Sequence, residues 1–291
     1  MHRFEYCAPT NLPEAISLLG QYSSAARLIA GGTDLLTALK ERTDRPEYLI
    51  NLAGLAELCF IRYDPETGLR IGAAVTVRAV EKSDVVRLYY PVISQAAATL
   101  ASVQIRNLAT IAGNICRASP SADLPPALLV LDATVKLAGP LGERIVPLVD
   151  FFTGPGKTVL RPDEILTEIR LPPSQPDRGA AYIKHSPRRA MDLASVGVAA
   201  AITLEAGLCR QARIALGAVA PTPRRSFQAE ALLTGQIPTP DLILQAAEAA
   251  AAEANPISDV RASAAYRRQM VRVLVRRALQ QSLDLIQVNE L

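Results

Sequence analysis

The sequence predicts an α+β fold, because strand-like segments precede helix-like segments in its C-terminal part. In the last third of the 291 residues, three β-like stretches come first and helical runs follow. A proline-rich stretch at 172–176 precedes them and is the best candidate for a linker. We therefore expect two domains, residues 1–176 and 177–291, with the first divided into lobes of about 1–57 and 58–176.

The first lobe combines short apolar runs with glycine and proline at their ends, which is typical of strands and helices joined by tight turns. Threonine and asparagine cap helices well, because their side chains accept hydrogen bonds from free backbone N–H groups. The expected elements are a helix capped by Thr10 or Asn11 with Pro13 near its first turn, a strand at 27–30, a helix at 34–40 and a strand at 48–52. Together they form a small β-α-β-like unit.

The second lobe opens with a hairpin signal, since two strand-like runs flank the turn-forming sequence Asp64-Pro65-Glu66-Thr67-Gly68. The expected elements are strands at 60–63 and 69–73, helices at 77–88 and 91–100, an apolar segment at 127–133, a strand at 134–138 and a turn at 139–142. The stretch 159–170 then leads into the proline-rich linker.

The C-terminal part places its strands before its helices. Strands are expected at 180–185, 194–204 and 212–219, and helices at 228–233, 242–254 and 264–283. In the last helix, apolar residues gather on one side, while Arg268, Arg272 and Arg276 line another. This pattern predicts an ordinary amphipathic helix with a solvated face, although so many arginines would also suit nucleic-acid binding.

The composition argues against several classes of protein. Hydrophobic residues make up 49% and charged residues 20% of the chain, which is the profile of a globular protein with ample core. No stretch approaches the roughly 18 uninterrupted apolar residues that a membrane span needs. The net charge of +3 implies no strong attraction to nucleic acid. We expect neither a membrane span nor a nucleic-acid partner.

The cysteines and the other reactive side chains indicate no metal site and no hydrolase. The four cysteines form no CxxC pair and lie far apart, and the two histidines are isolated. This spacing fits neither a disulfide framework nor a zinc or iron–sulfur site, and a reducing cytoplasm suits it best. The chain has no GxSxG motif and no paired carboxylates, so nucleophilic or paired-carboxylate hydrolysis has no support.

Two glycine-containing segments could bind a phosphate. The first is a strand-like run that ends in two glycines before a helix, and it comprises Leu28, Ile29, Ala30, Gly31, Gly32, Thr33, Asp34, Leu35 and Leu36. Glycine admits positive φ and lets a ligand approach the backbone closely, and free N–H groups near a helix start attract an anion. A Gly-Gly turn without a ligand has the same local sequence, so this segment alone does not decide the function.

The second glycine segment lies about 80 residues further on and comprises Thr110, Ile111, Ala112, Gly113 and Asn114. Asp123, in the loop that follows, could accept a hydrogen bond from a hydroxyl group, but an ordinary surface loop would have the same composition. The P-loop-like sequence Gly154-Pro155-Gly156-Lys157-Thr158 is rejected as a nucleotide site. Phe151 stands where the pattern requires a glycine, and Pro155 has no backbone N–H group.

Taken together, the two segments resemble the paired FAD-binding signatures of molybdenum hydroxylase flavoproteins, the family of xanthine dehydrogenase and carbon monoxide dehydrogenase. Gln104-Ile105-Arg106-Asn107 precedes the second segment, and Ala118-Ser119-Pro120-Ser121-Ala122-Asp123-Leu124 follows it, as is common in that family. Matching motifs run in order from about residue 3 to residue 285. The ordered combination is therefore far more specific than any single motif.

The resemblance implies a fold, a cofactor and partners. Residues 1–176 would form the FAD-binding fold shared with vanillyl-alcohol oxidase (VAO) and p-cresol methylhydroxylase (PCMH), in two α/β lobes. Residues 177–291 would form a small C-terminal domain with a three-stranded antiparallel sheet and a helix bundle. The chain would be the FAD-binding subunit of a heterotrimer with a [2Fe-2S] small subunit and a molybdenum-cofactor large subunit. NAD or a quinone would accept the electrons.

The resemblance also implies roles for single residues. Backbone N–H groups of the two glycine segments would bind the FAD pyrophosphate, and Asp123 would contact the flavin. Further matches to flavin-contact positions are Leu100, Leu166, Tyr182 and Lys184. The chain departs from the family at Ala112, where the signature usually has glycine, and a methyl group fits there if φ is negative. It also lacks the cysteine loop of the 4-hydroxybenzoyl-CoA reductase branch, so FAD is the only redox cofactor expected.

Two other functions remain open from the sequence. A stand-alone flavin oxidase of the vanillyl-alcohol type would share the FAD-binding fold, but such chains are longer and carry a substrate-capping domain. A scaffold or assembly subunit that has lost FAD would share the fold without the cofactor. The yellow colour of a purified flavoprotein would distinguish the last case, because the flavin itself carries the redox chemistry and the colour.

Overall fold

A computed structural model gives the fold and describes residues 3–188 and 190–289, with the side chains of 287–289 left out. Within this range the strands form a parallel sheet, two larger antiparallel sheets and a short two-stranded ribbon. None of the helices in the described ranges is long and apolar enough to cross a bilayer. The architecture is the mixed α and β one expected from the sequence.

The N-terminal sheet is parallel, with three strands in the order β1-β3-β2. Its region contains β1 (Glu5–Cys7), α1 (Leu12–Tyr22), β2 (Ala26–Ile29), α2 (Leu35–Glu41) and β3 (Tyr48–Asn51). Of the two candidate caps of α1, Asn11 is the cap, since its side chain accepts a hydrogen bond from the Glu14 N–H. Because β2 is an edge strand, the first glycine segment leaves the sheet at its border.

The second sheet is antiparallel, with five strands in the order β4-β5-β10-β6-β7. Its strands are β4 (Ile61–Asp64), β5 (Gly68–Gly72), β6 (Thr134–Gly139), β7 (Gly142–Pro147) and β10 (Ile165–Leu171), and the ribbon is β8 (Phe152–Gly154) with β9 (Lys157–Thr158). The central strand β10 pairs with both β5 and β6. Ile71, Val135 and Ile169 are fully buried on these strands and belong to the main hydrophobic core.

Six short helices occupy the long connection between β5 and β6. They are α3 (Val77–Lys82), α4 (Asp84–Tyr89), α5 (Pro91–Thr99), α6 (Val103–Arg106), α7 (Ile111–Arg117) and α8 (Leu124–Leu129). The single helix expected over 77–88 is divided into two, because Ser83 is extended and its hydroxyl accepts a hydrogen bond from the Val86 N–H. Ser83 therefore ends α3 and caps α4.

The C-terminal sheet is antiparallel, in the order β11-β12-β13-β14. Its elements are β11 (Arg178–His185), β12 (Val196–Glu205), β13 (Leu208–Gly217), β14 (Arg224–Arg225), α9 (Phe227–Leu233), α10 (Pro240–Glu253) and α11 (Ala264–Asn289). The three long strands are those expected, and β14 adds two residues at the edge. In α11, Val271 and Leu274 are buried and Arg272 and Arg276 are exposed, as the amphipathic pattern predicts.

The two faces of the C-terminal sheet pack against different partners. Ala200, Ile202 and Ile214 belong to the core shared with the three C-terminal helices. Alternate residues, among them Ala199 and Ala201, belong to the main core of the N-terminal part. Helix α8 lies against this second face and contacts β11, β12 and β13. Alanines at these positions allow the close approach, because they add little volume between helix and sheet.

Candidate functional site

The first glycine segment packs directly against the chain that leads into the second. A Cβ atom built on Gly31 would lie 2.6 Å from the Leu108 carbonyl carbon and 2.9 Å from the Ala109 Cα atom, with the Leu108 oxygen closer still. Gly31 therefore has to be glycine for a steric reason, since any side chain would collide with backbone. This contact brings together two segments about 80 residues apart in the sequence.

The turn after β2 presents a row of backbone donors. Gly32 has φ +67°, a left-handed conformation that favours glycine. The hydrogen bonds that tie this turn to α2 in the described ranges run the other way: the Gly32 and Asp34 carbonyls accept from the Leu36 and Ala38 N–H groups, and the Thr33 carbonyl accepts from the Thr37 hydroxyl. The N–H groups of residues 30–35 have no acceptor among the described residues. Such open donors before a helix suit an anionic group.

The second glycine segment is the first turn of a helix, where a turn was expected. Thr110 caps α7, because its hydroxyl accepts a hydrogen bond of 3.0 Å from the Gly113 N–H. The Ile111 and Asn114 N–H groups bond to the carbonyls of Val75 and Thr110. Among the described residues, the backbone N–H groups of Thr110 and Ala112 are thus the donors of this segment without an acceptor.

Ala112 fits its place in the fold. It lies inside α7, is 5% exposed and is not among the residues with positive φ. The condition under which a methyl group is tolerated there is therefore met. Beside it, the side-chain oxygen of Asn114 is buried without a hydrogen-bond partner in the described ranges. Since buried polar atoms are normally paired, this oxygen is available to a ligand donor.

An ion pair also connects the first glycine segment to the end of α7, the helix that begins in the second segment. Arg117, at the end of α7, lies 3.6 Å from Asp34 in the first segment. Both side chains are more than half exposed, so the pair adds little stability. The pair shows that the end of α7 lies close to the residue that precedes α2. The pyrophosphate site expected from the sequence is thus geometrically possible.

A buried ionic cluster joins the C-terminal sheet to the N-terminal part. Asp123, which immediately precedes α8, accepts hydrogen bonds of 2.8 Å from the Tyr182 hydroxyl and 2.8 Å from the Lys184 ammonium. Lys184 also donates to the Thr99 carbonyl at 3.0 Å. The alternation of β11 places Tyr182 and Lys184 on one face, toward α8. Three residues assigned to the flavin site by resemblance therefore contact one another.

The electrostatics of this cluster are set by burial. Burial raises the pKa of Asp123, and the charge and hydrogen bond of Lys184 together with the Tyr182 hydroxyl offset only part of that effect. The pKa of Tyr182 is raised well above its ordinary value, first by burial and then by the neighbouring carboxylate. Tyr182 is therefore a neutral donor. An ammonium group has three N–H donors, and two of those on Lys184 are used by Asp123 and Thr99.

Arg106 supports this region and was not assigned a role from the sequence. It is 7% exposed, and its guanidinium pairs with Glu81 at 2.8 Å and donates to the Leu100 carbonyl at 2.7 Å. Leu100 follows Thr99, the residue that accepts from Lys184, so both cations bind neighbouring carbonyls. No local sequence signal marks Arg106, because the neighbouring residues Gln104 and Asn107 are also polar, and only the structure shows a buried arginine with paired acceptors.

The remaining two predicted contact positions are leucines in the core. Leu100 is 8% exposed and Leu166 is 3% exposed. Leu166 lies on β10 opposite Leu137, and α7 packs against the same strand. Contacts of both leucines with the flavin remain predictions.

Two family models together match nearly the whole chain. The model described as the FAD-binding domain in molybdopterin dehydrogenase matches residues 2–174. This chain belongs to the FAD-binding subunits of the xanthine dehydrogenase and carbon monoxide dehydrogenase family. The model of the CO dehydrogenase flavoprotein C-terminal domain matches residues 181–282. FAD is accordingly the cofactor of this chain, and the chain is a subunit of an oxidoreductase.

Curated relatives and solved structures agree with this membership. The chain is 38% identical over 277 residues to the carbon monoxide dehydrogenase medium chain of Hydrogenophaga pseudoflava, covering 95% of this chain and 96% of that one. It is 34% identical over 278 residues to the xanthine dehydrogenase FAD-binding subunit of Escherichia coli O157:H7, covering 95% of both. A solved structure of carbon monoxide dehydrogenase from Hydrogenophaga pseudoflava superimposes with a TM-score of 0.94 at 38% identity. The match covers 97% of this chain and 98% of that one.

The residues present fit an FAD molecule. Family flavoproteins need donors for a pyrophosphate, and the first glycine segment has a row of open N–H groups. Asn114 contributes a buried side-chain oxygen that has no partner among the described residues. Asp123, nine positions after Asn114, adds a buried carboxylate held by Tyr182 and Lys184. The cavity of about 450 Å³ at the domain junction has none of these residues in its walls. The glycine segments are therefore the better candidate for the cofactor site.

Proposed function

We propose that this chain passes electrons from the [2Fe-2S] clusters of a partner subunit, through its FAD, to NAD or another acceptor such as a quinone. The observation that carries the proposal is the contact of Gly31, in the first glycine segment, with the backbone of Leu108 and Ala109, which leads directly into the second segment. The open backbone donors of the first segment lie at this contact, and the Asp123 cluster lies further along the chain that leads out of the second segment. Bound there, FAD supplies the exchange of one and two electrons that such a transfer requires.

The first glycine segment, residues 28–36, would bind the pyrophosphate. Its contribution is positioning, because N–H groups that have no acceptor among the described residues need not break other hydrogen bonds to bind a ligand. In the second segment, the Thr110 and Ala112 N–H groups have no acceptor among the described residues and remain for the same task. Residues 110–114 then act mainly by fixing α7 beside the first turn, through the Thr110 cap.

Lys184 would place a positive charge beside the flavin ring. Asp123 and Thr99 fix the ammonium at 2.8 Å and 3.0 Å, which leaves one N–H donor for a ring carbonyl. A cation held there stabilises negative charge on the ring system, because opposite charges attract strongly where water is excluded. Asp123 orients Lys184 and Tyr182 by accepting a hydrogen bond from each. Its carboxylate would also contact the cofactor directly.

The partners we propose are a [2Fe-2S] small subunit and a molybdenum-cofactor large subunit. The support is the family: a relative is a carbon monoxide dehydrogenase medium chain, and a solved neighbour is a Cu,Mo-CO dehydrogenase. We place the assembly in the cytoplasm, because four unpaired cysteines suit a reducing compartment. We also propose a domain boundary at the end of the proline-rich stretch, between residues 176 and 177; its support is that one family model ends at residue 174 and the other begins at residue 181.

The test is reconstitution with the iron–sulfur and molybdenum subunits. The isolated chain loaded with FAD should be yellow and should transfer electrons from a chemical reductant to a dye, but it should hydroxylate no substrate. Adding both partner subunits should start substrate turnover, and rapid mixing with the reduced small subunit should bleach the flavin absorbance. The acceptor is identified by supplying NAD or a quinone in separate reactions.

A flavin-deficient variant provides the control. The complex assembled with Gly32→Val should contain the other cofactors but should not reduce the acceptor. If that complex reduces the acceptor at the normal rate, electrons do not pass through this chain. Hydroxylation by the isolated chain would contradict the assignment as an electron-transfer subunit. A colourless chain that still assembles would favour the scaffold alternative.

A further inference from the structure

A polar cavity of about 450 Å³ lies at the junction of the two domains. Its walls come from the loop after α8 (Asp132), from the proline-rich linker (Gln175) and from the strands β11 and β13 (Arg178, Arg210, Arg213). Arg178 and Lys184 are six positions apart on β11, which corresponds to roughly 20 Å along a strand. The cavity is therefore at the opposite end of this sheet from the Asp123 cluster.

Arg178 lies in this cavity without a carboxylate partner. Its guanidinium donates to the side-chain oxygens of Gln175 at 3.0 Å, Gln211 at 2.9 Å and Thr203 at 3.3 Å, which are all neutral. Among the described residues no carboxylate oxygen lies within the 4.0 Å of an ion pair. Burial lowers the pKa of this guanidinium. A cation removed from water in this way is stabilised by an added anion.

Positive charge exceeds negative charge in the same walls. Three arginines, Arg178, Arg210 and Arg213, face the single carboxylate of Asp132. Arg213 binds that carboxylate at 3.0 Å and 3.1 Å, but Arg225 of β14 also binds it at 3.0 Å. Arg210 is exposed and has no ion-pair partner in the described ranges. Arg225 is also paired with Glu230, whereas Arg178 and Arg210 form no ion pair among the described residues.

We propose that this cavity binds a small phosphate-bearing anion, such as inorganic phosphate or a sugar phosphate. Several guanidinium groups around one space suit a tetrahedral oxyanion, because the planar forks of arginine each donate two hydrogen bonds to phosphate oxygens. The two glutamine side chains can turn their amide donors toward the same group. A volume of about 450 Å³ is within the range of small-molecule sites and leaves room for a pentose beside the phosphate.

The position of the cavity gives the anion a role. Its walls include both domains and the linker between them, so a bound anion would bridge Asp132's loop, Gln175 and the β13 arginines. A ligand that binds only the folded, docked arrangement stabilises that arrangement by mass action. Phosphate would therefore raise the unfolding temperature of the whole chain and would restrain the C-terminal domain, which carries Lys184 and Tyr182.

The test is calorimetric titration of the full chain saturated with FAD, so that the glycine segments are already filled. The probes are sodium phosphate and ribose 5-phosphate, at a constant ionic strength of about 0.15 M to screen weak surface binding. We expect saturable binding of one anion per chain. Tighter binding of ribose 5-phosphate than of phosphate would identify a sugar phosphate, and equal binding would identify phosphate alone.

Three variants decide whether the arginines are responsible. Arg210→Gln should weaken binding about tenfold, since one charge-assisted hydrogen bond is worth roughly that factor. Because Arg210 is exposed and unpaired in the described ranges, this variant should fold normally. Arg178→Gln should weaken binding at least as much. The matched control is Arg276→Gln, an exposed arginine on α11, which packs on the other face of the sheet, and it should bind like the unaltered chain.

The proposal is overturned if neither anion binds at concentrations up to about 10 mM, where even a millimolar site would be saturated. It is also overturned if Arg210→Gln and Arg178→Gln bind as tightly as the unaltered chain, or if Arg276→Gln loses as much affinity as they do. None of these results affects the proposed electron transfer, which is measured separately by flavin reduction.

Discussion

Replacing Gly31 by alanine tests whether FAD binding depends on the backbone contact between the first glycine segment and Leu108 and Ala109, which precede the second segment. The added Cβ atom would lie 2.6 Å from the Leu108 carbonyl carbon, and ordinary contact between carbon atoms begins near about 3.5 Å. The two backbones would therefore have to separate by at least about 0.9 Å, because the Leu108 oxygen lies closer still. No side-chain rotation relieves this collision, because the atoms met first all belong to the backbone of Leu108 and Ala109.

The expected cost follows from how firmly Ala109 is bound. Its N–H donates to the Ile105 carbonyl and its carbonyl accepts from the Val77 N–H, both at 2.7 Å. Overpacking of a well-packed site costs about 1–3 kcal/mol, and these two bonds favour the upper part of that range. The melting temperature should fall by roughly 2–4 °C for each kcal/mol. The affinity for FAD should fall by about 10- to 100-fold, the loss of one charge-assisted hydrogen bond.

The assay combines thermal unfolding without FAD and titration with FAD followed by flavin fluorescence. Gly20→Ala is the matched control, since a Cβ atom at Gly20 in α1 would meet nothing within 4 Å. That change should stabilise the helix by up to about 1 kcal/mol and leave FAD affinity unaltered. If Gly31→Ala behaves like Gly20→Ala in both measurements, the contact between the segments is not what organises the site.

Three further changes test the rest of the site. Gly32→Val should abolish FAD binding at a modest cost in stability, about 1–2 kcal/mol for a left-handed residue with a side chain, and full flavin occupancy would exclude this turn from the site. Lys184→Met should destabilise the fold by about 3–5 kcal/mol, because it leaves Asp123 buried without its cation, and should lower the flavin reduction potential. Burial raises the pKa of Asp123, and Lys184 offsets part of that rise. Without Lys184, the pKa of Asp123 in the folded state therefore rises further above its value in the unfolded state, and the variant loses more stability as the pH increases. Denaturant titrations should therefore show a larger deficit at pH 8 than at pH 5, and an equal deficit would contradict the account. Arg106→Met should cost about 3–5 kcal/mol in the same titrations, whereas Arg276→Met, on an exposed surface, should change stability by less than about 0.5 kcal/mol.

Much of the fold could be predicted because hydrophobic spacing and turn residues determine where strands and helices form. The strands expected at 48–52 and 134–138 occur at Tyr48–Asn51 and Thr134–Gly139. The prediction of a single helix over 77–88 was wrong, because two helices, Val77–Lys82 and Asp84–Tyr89, occupy this region. Ser83 has side-chain chemistry that competes with the helix interior, and the sequence alone does not show that this competition wins.

The candidate site was harder to predict than the fold. Resemblance identified Asp123, Tyr182 and Lys184 as site residues, but their mutual hydrogen bonds depend on the docking of β11 against α8. The supporting role of Arg106 also depends on tertiary contacts, since its partner Glu81 is 25 positions away. Local patterns carry no information about such distant pairs, and both therefore required the structure.

The place of β10 in the second sheet has a consequence for synthesis of the chain. This central strand, Ile165–Leu171, separates β5 from β6 although it is made almost 100 residues after β5. Until the ribosome has released it, β5 and β6 each have an unpaired inner edge, and open edges promote association with other chains. The parallel N-terminal sheet needs only residues up to Asn51 and can form far earlier. Nascent chains halted before residue 165 should therefore be protease-sensitive beyond the first lobe, and chains halted well after residue 171 should be protected there.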